Sequence, residues 1–439
     1  MYVLLIAINQ KYRMIMKTRR YFNWLLVAIL AVSSFTVISC KDQPDKYEVA
    51  DGIPTVYYVR SPYLSQKDSL LTGAYMGNTV CLVGDNLRSI VELYFNDQKV
   101  VLNTSFITDN TLLCDVPNEL PDNPTDKIYM KTKSGEVVTY DFEVLIPSAT
   151  VNSMSNEWAV AGEEATIYGD YFLSYDSDPL TITMPGGIAV TDIKSIQKAS
   201  VTFVIPEGVT ESGKITVATK YGKSESKFYY RDHRGMILDW DGTYGMAQAN
   251  GWRTGAGLKV DDGTGVDGAF IRFHGTTTAD GWGLGEDDWC FNFWPNDTDP
   301  AISDMSGCSE LISKYELSQL AIKFEYRIPA DQNWTSSALQ VMLTKASTTG
   351  TNSYCWDATH PRSLWSPYAS SGAYDTDGQW RTVSIPLSTF NKTHDGSLCA
   401  TEFTADFLGG LTFYFMGGPA GEASELQMDV DNIRIAPTE

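Results

Sequence analysis

From Ile53 to Tyr230 the apolar positions fall in short runs of β-branched and aromatic residues, broken by Gly, Pro, Asn and Asp, with no sustained 3.6-residue period. Runs of that length bounded by turn formers predict strands rather than helices. The stretch also repeats. Gly77-Asn78-Thr79-Val80-Cys81-Leu82-Val83-Gly84-Asp85-Asn86-Leu87 lines up with Gly162-Glu163-Glu164-Ala165-Thr166-Ile167-Tyr168-Gly169-Asp170-Tyr171-Phe172. Cys114-Asp115-Val116-Pro117 and Lys133-Ser134-Gly135 then match Val204-Ile205-Pro206 and Tyr221-Gly222. A repeat of roughly 85–93 residues is the size of an immunoglobulin-like sandwich and far exceeds a solenoid unit.

Beyond Met236 the pattern changes. Apolar runs from Leu320 to Ile328, Ala338 to Leu343, Arg381 to Leu387, Gly410 to Met416 and Leu426 to Ile435 are joined by long loops rich in Gly, Asp, Ser and Thr. These predict a jelly-roll-like sandwich of about 200 residues. The expected fold is therefore all-β: tandem immunoglobulin-like sandwiches over 52–146 and 147–231, then a jelly-roll-like β-sandwich over 232–439. The junctions, Ile146 to Thr150 and Arg231 to Gly235, hold no Gly/Ser-rich linker, so little hinge motion is expected.

The N-terminus carries a different signal. Lys11, Arg13, Lys17, Arg19 and Arg20 precede an apolar run from Trp24 to Ile38, with no acidic residue before Cys40. This is a secretory leader over residues 1–40, too short in its apolar part for a spanning helix of about 20 residues. Val37-Ile38-Ser39-Cys40 resembles the lipobox of bacterial lipoproteins, which implies lipidation of Cys40 and anchorage in a membrane. Lys41-Asp42-Gln43-Pro44-Asp45, at the head of a tether over 41–51, resembles the export signal of surface-exposed lipoproteins in Bacteroidota. The expected location is the outer face of the outer membrane.

Charge narrows the partners. The sequence has 54 acidic and 33 basic side chains, net −21, and the leader takes five of the basic ones away. Such a surface repels nucleic acid and suits a neutral ligand. Besides Cys40 there are two Cys in the first sandwich (Cys81, Cys114) and four in the last domain (Cys290, Cys308, Cys355, Cys399). Even counts allow disulfides in an oxidising compartment, and buried thiols are equally compatible. No CxxC or His–Cys cluster points to zinc.

Nine of the eleven Trp lie after Met236. An indole laid against the C–H face of a pyranose excludes water while the equatorial hydroxyls stay free for hydrogen bonds, so Trp concentration suggests sugar binding. Most Trp in a β-sandwich are core, and position separates the two roles. Trp380 in an alternating strand and Trp240 at the domain entrance read as core; Trp282 and Trp289, in a Gly-rich stretch, fit rim or core equally. Trp294, Trp334, Trp356 and Trp365 sit among Pro, Asn, Ser and Thr, and with Tyr354 and Tyr368 they are the expected glycan platforms.

Two family resemblances follow. The repeated hairpin is similar to the IPT/TIG family, whose G-x-x-v-x-i-x-G pattern both copies match. The last domain resembles the glycan-binding domain of surface glycan-binding proteins from polysaccharide-utilisation loci of Bacteroidota. That likeness rests on Ile237-Leu238-Asp239-Trp240-Asp241-Gly242, on Trp380 to Leu387 and on Asp429-Val430-Asp431-Asn432-Ile433-Arg434-Ile435, together with the order lipid Cys, Ig-like pair, β-sandwich. It implies non-catalytic capture of a neutral polysaccharide, a β-glucan such as xyloglucan or mixed-linkage glucan, beside a SusC/SusD-like transporter, with no cofactor.

An adhesin or protein-interaction receptor is the alternative of a different class. A glycoside hydrolase is weaker: carboxylate pairs abound, but no HExxH, G-x-S-x-G or P-loop spacing occurs. Asp429 and Asp431 on the terminal strand, with Asp239, form a conceivable structural calcium trio against a solvated strand face.

Overall fold

The computed structural model describes residues 47–438 except Lys67, Trp252, 283–288 and 349–357. Cys40, Tyr354, Cys355 and Trp356 thus lie outside the described residues. The chain divides into two compact units, Met1–Ile146 and Pro147–Glu439.

The first unit is an immunoglobulin-like sandwich. One sheet orders Leu70–Leu71, Thr55–Arg60, Thr79–Asp85 and Thr111–Asp115, and another Gln98–Lys99, Ile90–Phe95, Lys127–Thr132 and Val137–Asp141. Val59, Leu82 and Leu112 from the former and Leu93, Ile128 and Met130 from the latter are fully buried, the inward half of the two-residue alternation.

The second unit opens with a sandwich of the same plan. Its sheets order Thr150–Met154, Glu164–Asp170, Ser200–Val204, Ile193–Gln197, and Ile188–Ala189, Thr181–Met184, Thr216–Thr219, Gly222–Glu225. They close over Val151, Ile167, Ile182, Val201, Phe203 and Val217. The repeat is physical as well as textual. A side chain on Gly84 would strike the carbonyl oxygen of Thr55, and one on Gly169 that of Thr150. Asn86 and Tyr171, two residues on in each copy, both have positive φ, 58° and 61°. The pattern is thus a strand whose antiparallel neighbour passes too close for a Cβ.

The last sandwich is larger. Its six-stranded sheet runs Lys259–Val260, Phe270–Thr276, Glu425–Pro437, Leu320–Arg327, Arg381–Pro386, with Met236–Leu238 also paired to the C-terminal strand. Its four-stranded sheet orders Cys290–Phe293, Gly410–Phe415, Leu339–Thr344 and Arg362–Trp365, and pairing in both sheets is antiparallel. Between them lie Phe273, Ile322, Phe324, Met428 and Val430 from the first and Phe291, Phe293, Val341, Leu343, Leu411 and Phe413 from the second. The helix Ser306–Lys314 was not legible as a period; only Cys308 and Leu311 are buried on it, one turn apart. The five described cysteines of the folded parts, Cys81, Cys114, Cys290, Cys308 and Cys399, are free thiols, and burial pushes Cys114 and Cys308 up to about 12.

The outer face of the six-stranded sheet is unusually charged and still buried. Arg434, fully buried, donates to Glu325 at 2.7 and 3.0 Å and to Glu157 at 3.0 Å, while Lys323 donates to Glu157 at 2.7 Å. Glu157 belongs to the preceding sandwich. The Glu157 N–H donates to the Thr382 hydroxyl at 2.7 Å, so backbone and charge together join the two sandwiches of this unit.

Candidate functional site

The four-stranded sheet buries its inner face in the core, yet its two central strands, Leu339–Thr344 and Gly410–Phe415, are buried on both faces. The register explains what the outer face carries. One row across the strands is Asn292, Thr412, Met342 and Arg362; the next is Cys290, Tyr414, Gln340 and Leu364. Pleating puts these eight on the side opposite the core.

They form a polar ladder. Arg362 donates through Nη1 to Gln340 Oε1 at 3.0 Å and to the Tyr414 hydroxyl at 2.9 Å, and that hydroxyl donates to Gln340 Oε1 at 2.7 Å. Asn292 Nδ2 donates to Thr412 Oγ1 at 3.0 Å. Gln340 Nε2 reaches beyond the sheet to the carbonyls of Met416 and His394 at 2.7 and 3.0 Å. Buried polar networks of this kind fix side-chain positions, because each broken link leaves a desolvated group.

The His394 carbonyl ties the ladder to a rim. The loop that carries His394 is held to the edge strand by paired backbone bonds between Arg362 and Lys392, and is braced internally by Asp395, which accepts from the Ser397 N–H. The Thr393 hydroxyl and that N–H hold Asp395 down at about 2. Facing His394 is Trp282, with ring centroids 5.9 Å apart and nearly perpendicular planes. Trp282 projects from a tight turn: Asp280 accepts from its N–H at 3.1 Å and from the Thr278 hydroxyl at 2.8 Å, and these bonds lower the Asp280 pKa. Gly417 lets the loops meet, since a Cβ there would press on His394 O and Gln340 Nε2 and touch the Trp282 ring.

Trp282 is 40% exposed, and it is the exposed Trp among the described residues. Sequence position left it undecided; the turn motif Thr278-x-Asp280-Gly281-Trp282 is the signal that separates it from Trp289, which is core.

Several expected platforms are corrected. Trp334 is fully buried; its indole N–H donates to the carbonyls of Ser336 and Ser337, and its ring packs on Trp365, Tyr368 and Phe415. Tyr368 is 2% exposed, with its hydroxyl on Pro419 O. Trp294 is buried in a cluster with Cys290, Met342, Tyr414 and Met416. These three rings offer no open face for a pyranose. Trp365 is half-buried against Phe324, Tyr326 and Trp334, so its ring fills the open side of the sandwich. Tyr354 and Trp356 lie outside the described residues. Trp240 and Trp380, read as core, are buried.

The calcium trio does not form one site. Asp429 is clasped by Arg272 at 2.7 Å and Arg327 at 2.6 Å, and Asp239 accepts from the backbone N–H groups of Gly242, Tyr244 and Gly245. Among the described residues no group of three or more His, Cys, Asp or Glu is placed to hold a metal ion.

Comparison with known proteins adds the context. A family model described as the surface glycan-binding protein B xyloglucan binding domain matches residues 230–437. A solved structure of a surface glycan-binding protein B from Prevotella bryantii is 35% identical, with 89% of this chain and 100% of that chain covered and a TM-score of 0.78. An IPT/TIG domain-containing protein of Bacteroides ovatus is 26% identical over 218 residues, 46% of this chain. That match spans 43% of the relative, less than half its length.

Proposed function

The chain belongs to the family of surface glycan-binding proteins B, and from that premise we propose that it captures polysaccharide at the cell surface without catalysis, on a site headed by Trp282. The observation that carries this reading is the pairing of one open indole with a rigid polar ladder. Trp282 is the exposed indole, His394 packs on it nearly at right angles, and the Gln340–Tyr414–Arg362 network fixes the His394 loop from beneath. Stacking excludes water from the C–H face and leaves the equatorial hydroxyls to solvent.

The ligand is a neutral β-glucan, with xyloglucan first and mixed-linkage glucan second. The matched model's description favours the former, and the strongly acidic chain offers no attraction to a polyanion. Tyr354, Trp356 and Trp365 stay in the proposed site on the strength of their sequence positions. Lipidation at Cys40, outer-membrane anchorage and work beside a SusC/SusD-like transporter complete the proposal; they rest on the lipobox and on the family.

Replacing Trp282 by Ala tests it. By analogy with aromatic stacking on bases, one platform contributes about 1–3 kcal/mol, or roughly 5- to 150-fold in affinity. Affinity gels with xyloglucan, and calorimetry with a short xylogluco-oligosaccharide, should show that loss while circular dichroism stays unchanged. Undiminished retention would remove Trp282 from the site.

A further inference from the structure

A second concavity lies in the same unit, where the outer face of the six-stranded sheet meets the preceding sandwich. It has a volume of about 390 Å³, within the roughly 300–1,000 Å³ typical of small-ligand sites. Its sides are aromatic and its rim is polar. Tyr168 enters from the strand Glu164–Asp170 and is 45% exposed; Phe228 and Tyr374 add ring surface; Asn152 and Ser384 are exposed at the rim. The Lys323–Glu157 ion pair closes part of the floor, so that stretch carries no net charge.

Arg381 is the feature that asks for a ligand. Arg234, Arg272, Arg327 and Arg434 each hold a carboxylate. Arg381 has no carboxylate partner among the described residues, although the chain has 54 acidic side chains. It stands opposite Tyr326 in the strand register, and the Tyr326 and Tyr374 hydroxyls contact each other beside it. A guanidinium presents five donors in a fixed fork and no acceptor. With two phenol rings and two short polar side chains around it, this is a surface for a hydroxyl-rich ring.

We propose that this groove is a second saccharide subsite, taking another segment of the polysaccharide held at Trp282. The inference rests on the glycan-binding reading but concerns a different surface. Two modest sites on one chain make the second contact intramolecular, which strengthens retention of a polymer without strengthening that of a short oligosaccharide able to reach only one of them.

The test uses the full chain carrying Tyr168→Ala and Arg381→Ala together. Affinity gels with xyloglucan polymer should show at least about a hundredfold loss, the low end of what linked sites supply. Calorimetry with the short oligosaccharide at the Trp282 site should stay unchanged, and Tyr168→Phe, which keeps the ring, should behave as wild type. Polymer retention by the double variant equal to wild type would overturn the groove. Equal losses on polymer and oligosaccharide would also overturn it, since the substitutions would then be acting through the first site. A wild-type chain that binds neither probe would sink the glycan-binding reading itself, a distinguishable failure.

Discussion

Glu157→Ala is the sharpest perturbation of the scaffold that carries both surfaces. Glu157 Oε1 takes the Lys323 ammonium at 2.7 Å and Oε2 the Arg434 guanidinium at 3.0 Å, with side-chain exposures of 3%, 7% and 0% in that order. Truncation leaves Lys323 buried with no carboxylate, whereas Arg434 keeps both bonds to Glu325. Removing one member of a buried pair costs about 3–5 kcal/mol, mostly as the desolvation of the charge left behind. For a domain of this size each kcal/mol moves the midpoint by about 2–4 °C, so scanning calorimetry should show the transition of the second unit fall by roughly 6–20 °C. The double variant Glu157→Ala/Lys323→Met removes the stranded ammonium and should recover more than half of the loss, a positive coupling in a mutant cycle. A single-variant loss below about 1 kcal/mol, the range of exposed pairs, would refute the claim that these charges are desolvated.

Three further outcomes follow from the same structure. Trp334→Ala should cost about 3–5 kcal/mol in urea unfolding, as for a buried aromatic; a variant that keeps its stability but loses glycan would return this residue to the binding surface. Asp431→Asn should flatten the pH dependence. Burial, with Asp267 and Asp241 nearby, raises the Asp431 pKa well above 3.8, so the folded state holds this proton more tightly than the unfolded chain does. Its stabilising contribution is therefore complete at acidic pH and lost as pH climbs from 3.8 through the raised folded value. The Asn variant should be the more stable at neutral pH by denaturant midpoint, and a less stable one would mean that a cation balances the carboxylate. Gly169→Ala, whose methyl would strike Thr150 O, should destabilise by more than about 1 kcal/mol, as should Gly84→Ala in the first unit when monitored there.

The repeat was readable because it is local. Gly84 and Gly169 mark close strand approach and Asn86 and Tyr171 mark left-handed turns, and such requirements fall within a few consecutive positions. The strands of the last sandwich were readable for the same reason, through alternation. The platforms were less so. Trp334 follows Asp331-Gln332-Asn333 and reads as a loop residue, yet its backbone pairs with Tyr374 and its indole fills the end of the core. Polar neighbours in sequence describe the solvent side of a turn and say nothing of where a large ring folds back. The charge network was invisible for another reason: Lys323 and Arg434 meet Glu157 across 166 and 277 residues, and no local pattern encodes a contact of that span.

The groups gathered at the Trp282 surface also bear on binding against cleavage. Hydrolysis of a glycoside needs two carboxyl groups about 5–10 Å apart, one of them with a raised pKa so that it can give up a proton to the leaving oxygen. The ladder consists of amide, hydroxyl and guanidinium groups, and two carboxylates beside Trp282 and His394 among the described residues, Asp280 and Asp395, are both shifted the other way by the N–H and hydroxyl donors they accept from. A carboxylate held at about 2 is a turn cap and a poor acid. A flat apolar face over a rigid polar network suits the holding of a sugar chain proposed for this surface.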